Sequence, residues 1–169
     1  MNYKRCLYFV EGKCEEQLIN ALKAEPRLIT PGKVNVLNVV TEVIPRREVN
    51  MIKAGTTVVF VFDTDVEKTD LLLKNISYVN KYASQVKVVM LAQVLNFEDE
   101  IVRATDVKKA QEFTKSNSVS AFKSDFCRMK VEECRKALER HHIDVTVLWT
   151  KKPSGKFSFI EQNGEAIKL

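Results

Sequence analysis

Five carboxylate side chains in the first hundred residues each closely follow an apolar segment of the sequence. They are Glu11, Glu15, Asp63, Asp65 and Glu98. Carboxylates gathered at one place repel one another unless a cation neutralises them, and Mg²⁺ and Mn²⁺ prefer such oxygen ligands. The residue types therefore point to a site for divalent cations, which can activate water and stabilise negative charge on a phosphate.

The spacing of these acids supports the same chemistry. Asp63 and Asp65 are two positions apart, which in extended backbone directs both side chains to the same side. Gly12 is expected to permit a tight exit from the first strand, so that Glu15 returns over Glu11. Each group also has an ordinary explanation, as loop acids in water or as favourable charges in the first turn of a helix. Their shared position after successive strands favours a site.

The elements that must position these acids alternate between strands and helices. The apolar and β-branched runs predict strands over 4–10, 34–40, 56–62, 86–91 and 145–149, and helical spacing predicts helices over 14–24, 69–82, 97–104, 106–113 and 125–140. A short helix is expected within 41–54. The continuous run 58–62 is typical of a central parallel strand that is buried on both faces. This order predicts an α/β fold with a mainly parallel central sheet flanked by helices.

Ligands of open α/β sheets bind beyond the carboxyl ends of the strands, and the five acids are expected at that edge. No linker or repeat divides the chain, so residues 1–169 are predicted to form one domain. Residues 116–120 are expected to be a polar loop. Asn163-Gly164 is a turn signal that predicts a small C-terminal hairpin within 156–169, with strands over 157–160 and 166–169.

Composition limits the class of protein and its surroundings. The chain has 169 residues, 45% of them hydrophobic, and a formal charge of +5, which permits a polyanionic partner without requiring one. No run approaches the ~18 apolar residues of a membrane span, and no signal peptide is evident, so a cytoplasmic location away from membranes is expected. The four cysteines lack metal-site spacing and are interpreted as reduced thiols.

The motifs at the strand ends resemble those of the Toprim domain, the metal-binding catalytic fold of topoisomerases, primases and small ribonucleases. They are most similar to the OLD-type (overcoming lysogenization defect) Toprim nucleases. Phe9-Val10-Glu11-Gly12 matches the first motif, with Glu15 as the added OLD-type acid, and Asp63-Thr64-Asp65 matches the second. Asn96-Phe97-Glu98 resembles the third motif, with Asn where Ser is more usual.

The resemblance implies a single Toprim-like domain that hydrolyses phosphodiester bonds of DNA or RNA with Mg²⁺ or Mn²⁺, using two ions. One ion is expected on Glu11, Asp63 and Asp65, and the second on Glu15 and Glu98. Glu11, Asp63 and Asp65 are thereby expected to be catalytic, together with a downstream basic residue. Lys123 is the first choice for that residue and Lys130 the second.

Partners follow from the same resemblance. Full OLD proteins carry an ATPase domain, but this chain has no Gly-x-x-x-x-Gly-Lys-Ser/Thr loop, so a separate ATPase partner is expected. A phage-defence or mobile-element setting is typical of such standalone domains. The basic residues predicted to contact nucleic-acid phosphates are Arg46, Arg47, Lys151, Lys152 and Lys156.

Two other functions fit parts of the sequence. Asp63-Thr64-Asp65-Val66 also matches the nucleophile pattern of haloacid-dehalogenase-like phosphatases, with Asp63 as the nucleophile and Asp65 as an acid or base. That motif usually lies on the first strand, whereas two strands are predicted before it here, and Glu11 and Glu15 would have no role. The third possibility is a non-catalytic Toprim-like module that binds nucleic acid or a partner protein.

Overall fold

Four parallel strands form the centre of the molecule. In the computed structural model, which describes residues 5–66 and 68–169, they are β1 (Arg5–Val10), β2 (Gly32–Val36), β3 (Thr56–Asp63) and β4 (Lys87–Gln93), in the order β2-β1-β3-β4. All three pairings are parallel. This confirms the predicted α/β fold, with β3 as a central strand between β1 and β4. Lys4, the first residue of the strand predicted over 4–10, lies outside the described residues.

Seven helices flank the sheet in the described part of the chain. They are α1 (Lys13–Leu22), α2 (Arg46–Asn50), α3 (Asp70–Tyr82), α4 (Phe97–Ala104), α5 (Ala110–Thr114), α6 (Val119–Arg128) and α7 (Val131–Arg140). Short 3₁₀ turns follow at Gly155–Phe157 and Gly164–Ala166. No helix among these residues is long and apolar enough to cross a membrane.

Alternating side chains of the strands build two cores on opposite faces of the sheet. Val59 and Val61 of β3 join a core with α1 and α4 to α7, whereas Phe60 and Phe62 join a core with α3. Because β3 is covered on both faces, its sequence is continuously apolar rather than alternating. Asp63 continues the odd-numbered series and therefore lies on the α1 side of the sheet.

A cluster of four phenylalanines holds α4 against α6. The ring centroids of Phe97 and Phe126 are 5.0 Å apart, and those of Phe97 and Phe122 are 6.1 Å apart. Phe113 of α5 packs on both rings of α6, with centroids 5.6 Å and 6.5 Å away. Glu98 and Lys123 each directly follow one of these buried rings in sequence, so the cluster fixes the relative positions of the helical turns that carry them.

The predicted helix over 125–140 is wrong, because two helices occupy this region and the first begins earlier. α6 begins at Val119, within the predicted polar loop, where the Ser118 hydroxyl accepts a hydrogen bond from the Ala121 amide. Met129 and Lys130 then adopt extended backbone, with ψ angles of 142° and 153°. No Gly or Pro marks this break in the sequence.

The predicted strand over 145–149 is also wrong. Asp144 accepts hydrogen bonds from both the amide and the hydroxyl of Thr146, which turns the backbone at this point. Trp149 has a left-handed φ of 55° and donates its amide to the buried carboxylate of Glu100. These local side-chain bonds outweigh the β-propensity of the apolar run.

The predicted C-terminal hairpin within 156–169 does not form. Phe157 and Ile160 pack in the core on the α3 side, whereas Ile167 packs in the core on the α1 side. The two predicted strands therefore belong to opposite faces of the sheet and cannot pair with each other. Lys168 instead makes an isolated antiparallel bridge with Ile29.

Candidate functional site

The carboxyl ends of β1 and β3 create a crevice at the centre of the sheet edge. The chain leaves β1 into α1 on one face and leaves β3 toward α3 on the other, so the two connections diverge at this point. Such a switch of direction is where ligands bind in open α/β sheets. Glu11 remains tied to this edge because its amide donates a hydrogen bond to the Val61 carbonyl, 3.1 Å away.

The first two predicted acids that the structure brings together are Glu11 and Asp63. One carboxylate oxygen of Glu11, Oε2, accepts a hydrogen bond from the backbone amide of Asp63 at 2.9 Å. This bond links the ends of two neighbouring strands and holds the Glu11 carboxylate beside the last residue of β3. The predicted convergence of the strand-end acids is therefore present for this pair.

Glu15 lies in the first turn of α1 and is buried. Its pKa rises to about 7, chiefly because burial disfavours its charge and also because Glu11 is near, while backbone hydrogen bonds and Lys123 act against the rise. Gly12 has extended backbone with φ of −151°, so the expected need for glycine flexibility is wrong. Its small size matters instead, because a Cβ there would stand 3.2 Å from Glu15 Oε2.

Among the five predicted metal ligands, Asp63 shows the largest rise in pKa. Burial raises its pKa to about 8, with further contributions from the charges of Glu15, Glu11 and Asp65, while a backbone hydrogen bond from Phe97 opposes the rise. Its Oδ1 atom is buried and has no hydrogen-bond partner among the described residues. Asp63 therefore lies in a negatively charged and poorly solvated position, which a cation would relieve.

Glu98 and Lys123 form an ion pair on the helical side of the crevice. Lys123 Nζ lies 3.0 Å from Glu98 Oε1, and Glu98 Oε2 is buried without a partner in the described structure. Partial burial lowers the pKa of Lys123, but the bond to Glu98 and the charge of Asp63 outweigh it and raise the pKa overall. Asn96 uses its side chain to cap α4, accepting from the Asp99 amide at 3.0 Å.

A cleft of about 480 Å³ joins these groups. Its walls are formed by Glu11, Gly12, Lys13, Cys14, Glu15, Asn38, Asp63, Phe97, Lys123, Ser124 and Cys127. Three of the five predicted metal ligands and the first-choice lysine thus share one cavity. Glu98 reaches it through its ion pair with Lys123. Asp65 lies beyond the end of β3 and is exposed, close enough for its charge to act on Asp63.

The side chains as they stand are not arranged as a metal centre. Within residues 5–66 and 68–169, no group of three or more His, Cys, Asp or Glu side chains converges to hold an ion. Glu11 is engaged by the Asp63 amide and Glu98 by Lys123. The donor types nevertheless fit Mg²⁺ or Mn²⁺, and the unpartnered Oδ1 of Asp63 is a free oxygen ligand.

The structure separates the basic residues that the sequence grouped together. Arg46 lies over the ring of Tyr82, which ends α3 and therefore lies toward the amino ends of the strands, away from the acids. Arg47 follows it in α2. Lys130, the second-choice catalytic lysine, directly precedes α7 and is exposed outside the cleft lining.

The C-terminal lysines lie on the side of the acids. Gln162 hydrogen-bonds the Lys151 carbonyl and both backbone polar groups of Ala92, near the carboxyl end of β4. Phe157 packs on Phe62, the penultimate residue of β3. Lys151, Lys152 and Lys156 are exposed on this segment.

Several residues of the cleft were missed from the sequence. The strand predicted over 34–40 includes Asn38, but β2 ends at Val36, so Asn38 lies in the loop at the carboxyl edge. The sequence predicts Cys14 and Cys127 only as reduced thiols, because nothing in their spacing indicates that they meet. Comparison of the chain with protein-family models, with curated proteins and with solved structures finds no match.

Proposed function

We propose that this protein is a Toprim-type nuclease that hydrolyses phosphodiester bonds of DNA or RNA with Mg²⁺ or Mn²⁺. The observation that carries the proposal is one cleft, at the switch point of a parallel sheet, lined by Glu11, Glu15 and Asp63 and by Lys123. Burial and mutual repulsion raise the pKa values of Glu15 and Asp63, and a divalent cation in the cleft would favour their charged forms.

The residues divide into two sets for two ions. Glu11, Asp63 and Asp65 would hold one ion, and Glu15 and Glu98 would hold the other, with Glu11 and Glu98 released from the contacts described above. A divalent ion at such a site supplies Lewis acidity and a nucleophilic water at neutral pH. The buried setting of Asp63 strengthens its attraction for a cation, because little solvent competes there.

Lys123 is the residue placed to contact the scissile phosphate. Its side chain is 47% exposed, and it carries positive charge beside the acids Glu11, Glu15 and Asp63 of the same cleft. Lys123 would bind a phosphate oxygen in place of its present partner Glu98. Its charge then offsets the negative charge that develops on the phosphate as the bond breaks.

The surroundings of the protein are part of the proposal. We expect it to act in the cytoplasm, in a phage-defence or mobile-element setting, with nucleic acid and a separate ATPase as partners. The exposed lysines of the C-terminal segment offer backbone-phosphate contacts on the side of the cleft. Nucleic acid would then lie across the carboxyl edge of β3 and β4.

A non-catalytic module that binds nucleic acid is the second candidate. The observation that favours it is the Glu98–Lys123 ion pair, in which Lys123 of the cleft wall already neutralises one of the predicted metal ligands. In that case the chain binds DNA or RNA equally well with EDTA and with Mg²⁺. The haloacid-dehalogenase alternative requires phosphatase action by Asp63 instead.

One cleavage experiment separates these functions. Supercoiled plasmid, labelled RNA and an aryl phosphate are each incubated with the protein in Mg²⁺, Mn²⁺ or EDTA, using wild type and Asp63→Asn. The nuclease proposal predicts metal-dependent cleavage of a nucleic acid that is lost in the variant. Cleavage that persists in Asp63→Asn contradicts the metal assignment. Turnover of the aryl phosphate alone supports the phosphatase, and metal-independent binding without cleavage supports the binding module.

A further inference from the structure

Two cysteines distant in sequence meet at the wall of the cleft. Cys14 is the second residue of α1 and Cys127 lies in the last turn of α6, yet their sulfur atoms are 2.6 Å apart. The Cys14 sulfur also lies 3.5 Å from the Lys123 carbonyl. The sulfurs of a disulfide are separated by about 2.05 Å, so a bond between these two thiols requires little movement of either helix.

Small reagents can reach this pair through the cleft. Both cysteines line the cavity, and Cys127 is half-buried while Cys14 is 8% exposed. Cys6 and Cys134, by contrast, are buried and do not line it. The accessible thiol is therefore Cys127, with Cys14 directly behind it.

We propose that Cys14 and Cys127 form a reversible disulfide when the protein meets a low-molecular-weight disulfide such as oxidised glutathione. Disulfides in reducing compartments are usually transient and redox-sensing rather than structural. The inference depends on the cysteine geometry alone and goes beyond the proposed nuclease function. It therefore stands or fails separately from cleavage activity.

The reaction consists of two thiol–disulfide exchanges. The Cys127 thiol loses its proton to solvent and attacks one sulfur of oxidised glutathione, breaking that S–S bond and releasing one glutathione thiolate, which takes up a proton. The Cys14 sulfur, deprotonated in turn, attacks the Cys127 sulfur and displaces the second glutathione. Two protein thiols are oxidised to one disulfide, and one oxidised glutathione is reduced to two thiols.

The bond would join the two walls of the cleft. Glu15 directly follows Cys14, and Lys123 lies one helical turn before Cys127. A cross-link between α1 and α6 therefore restrains the separation of these two charged side chains. It also closes a loop between positions 113 apart, which lowers the conformational entropy of the unfolded chain.

Thiol counting by mass spectrometry tests the proposal. The full chain is incubated with EDTA in glutathione buffers of increasing oxidised fraction, alkylated, and digested with trypsin. The expected product is a disulfide-linked pair of peptides, 14–23 and 124–128, with two thiols lost per chain. The oxidised chain is expected to melt roughly 5–10 °C above the reduced chain.

Three variants complete the test. Cys14→Ser and Cys127→Ser should lose the linked peptides and the increase in melting temperature, and Cys14→Ser should retain one glutathione on Cys127. Cys134→Ala, the control, should form the linked peptides as wild type does. The proposal is overturned by a wild-type chain that keeps glutathione on Cys127 without a cross-link, or by one that retains all four thiols.

Discussion

Among the individual residues, Asp63 is the one whose surroundings demand an explanation. It is 7% exposed, has an unpartnered carboxylate oxygen, and is close to the charges of Glu15 and Glu11. An arrangement of this kind costs stability in the folded chain unless a proton or a cation neutralises the charge. The sequence indicated that acids follow the strands, but it could not predict how deeply Asp63 is buried, because burial depends on helices more than thirty residues away.

The dependence of stability on pH follows from this crowding. The pKa of Asp63 rises from 3.8 to about 8 and that of Glu15 from 4.5 to about 7. The unfolded chain therefore releases these protons first as pH rises, and the free energy of unfolding falls between about pH 5 and about pH 8. Melting temperatures in EDTA should decrease over this range.

Replacement of Asp63 isolates the contribution of this residue to the pH dependence of stability. Asp63→Asn cannot ionise, so it should melt above wild type at pH 8, and its melting temperature should change less between pH 5 and pH 8. Asp144→Asn is the control, because Asp144 is exposed and hydrogen bonds from Thr146 lower its pKa, away from this range. If the melting temperature changes equally with pH in wild type and in Asp63→Asn, then burial does not raise the pKa of Asp63.

The two candidate lysines are distinguished by position. Lys123 lines the cleft, whereas Lys130 is exposed at the start of α7. Lys123→Ala should reduce metal-dependent cleavage at least ~100-fold, the scale of losing a group that stabilises transition-state charge. Lys130→Ala should retain activity within a few-fold. The measurement is the initial cleavage rate of both variants at saturating Mg²⁺, and equal rates would contradict the role of Lys123.

At the scale of elements, the sequence predicts those strands and helices whose positions follow from the short-range periodicity of apolar residues. The strands β1, β3 and β4 and helices such as α3 and α4 lie close to their predicted positions, because apolar runs and helical spacing report burial directly. The strand predicted over 34–40 overlaps β2 only at residues 34–36. The break at Met129 carries no Gly or Pro, and the run over 145–149 is turned by Asp144. Such local hydrogen bonds override propensity, and only the folded chain reveals them.

The phenylalanine cluster between α4 and α6 should control both stability and the site. Phe122 is fully buried against Phe97 and Phe113 and directly precedes Lys123. Phe122→Ala should lower the free energy of unfolding by ~3–5 kcal/mol, the usual cost of emptying a buried aromatic site. Phe159→Ala is the control, since Phe159 is 43% exposed. Urea unfolding measures the free energy of unfolding of both variants. Equal losses in the two would show that the buried cluster contributes no more to stability than an exposed phenylalanine does.

At the scale of the whole molecule, strand order decides which charges share an edge. The order β2-β1-β3-β4 brings Glu11 and Asp63 side by side although they are 52 positions apart. The same topology leaves Arg46 toward the opposite edge and brings the C-terminal lysines to the acidic side. The sequence indicated basic residues but could not sort them by edge, because that requires the paths of α3 and of the C-terminal segment.

Nucleic-acid binding should therefore depend on the C-terminal lysines. Replacing Lys151 and Lys152 together by Ala should weaken binding to single- or double-stranded nucleic acid. The slope of log K against log salt should become shallower by about 1–2, because each lost phosphate contact contributes just under one unit. The matched variant, with Arg46 and Arg47 both changed to Ala, should bind as wild type does. A larger loss in the arginine variant would place the nucleic acid on the other edge of the sheet.

The central claim is that the acids at the ends of β1 and β3 bind a divalent cation, and direct Mn²⁺ binding tests it without knowledge of the substrate or partner. Titration of the full chain with Mn²⁺, followed by the electron paramagnetic resonance signal of the free ion, gives affinity and stoichiometry. We predict saturable binding of up to two ions to wild type and to Asp144→Asn, and an affinity at least ~10-fold lower for Asp63→Asn, which loses a charged ligand. Absence of saturable binding to wild type, or equal affinity in Asp63→Asn, would contradict the metal site and with it the proposed nuclease.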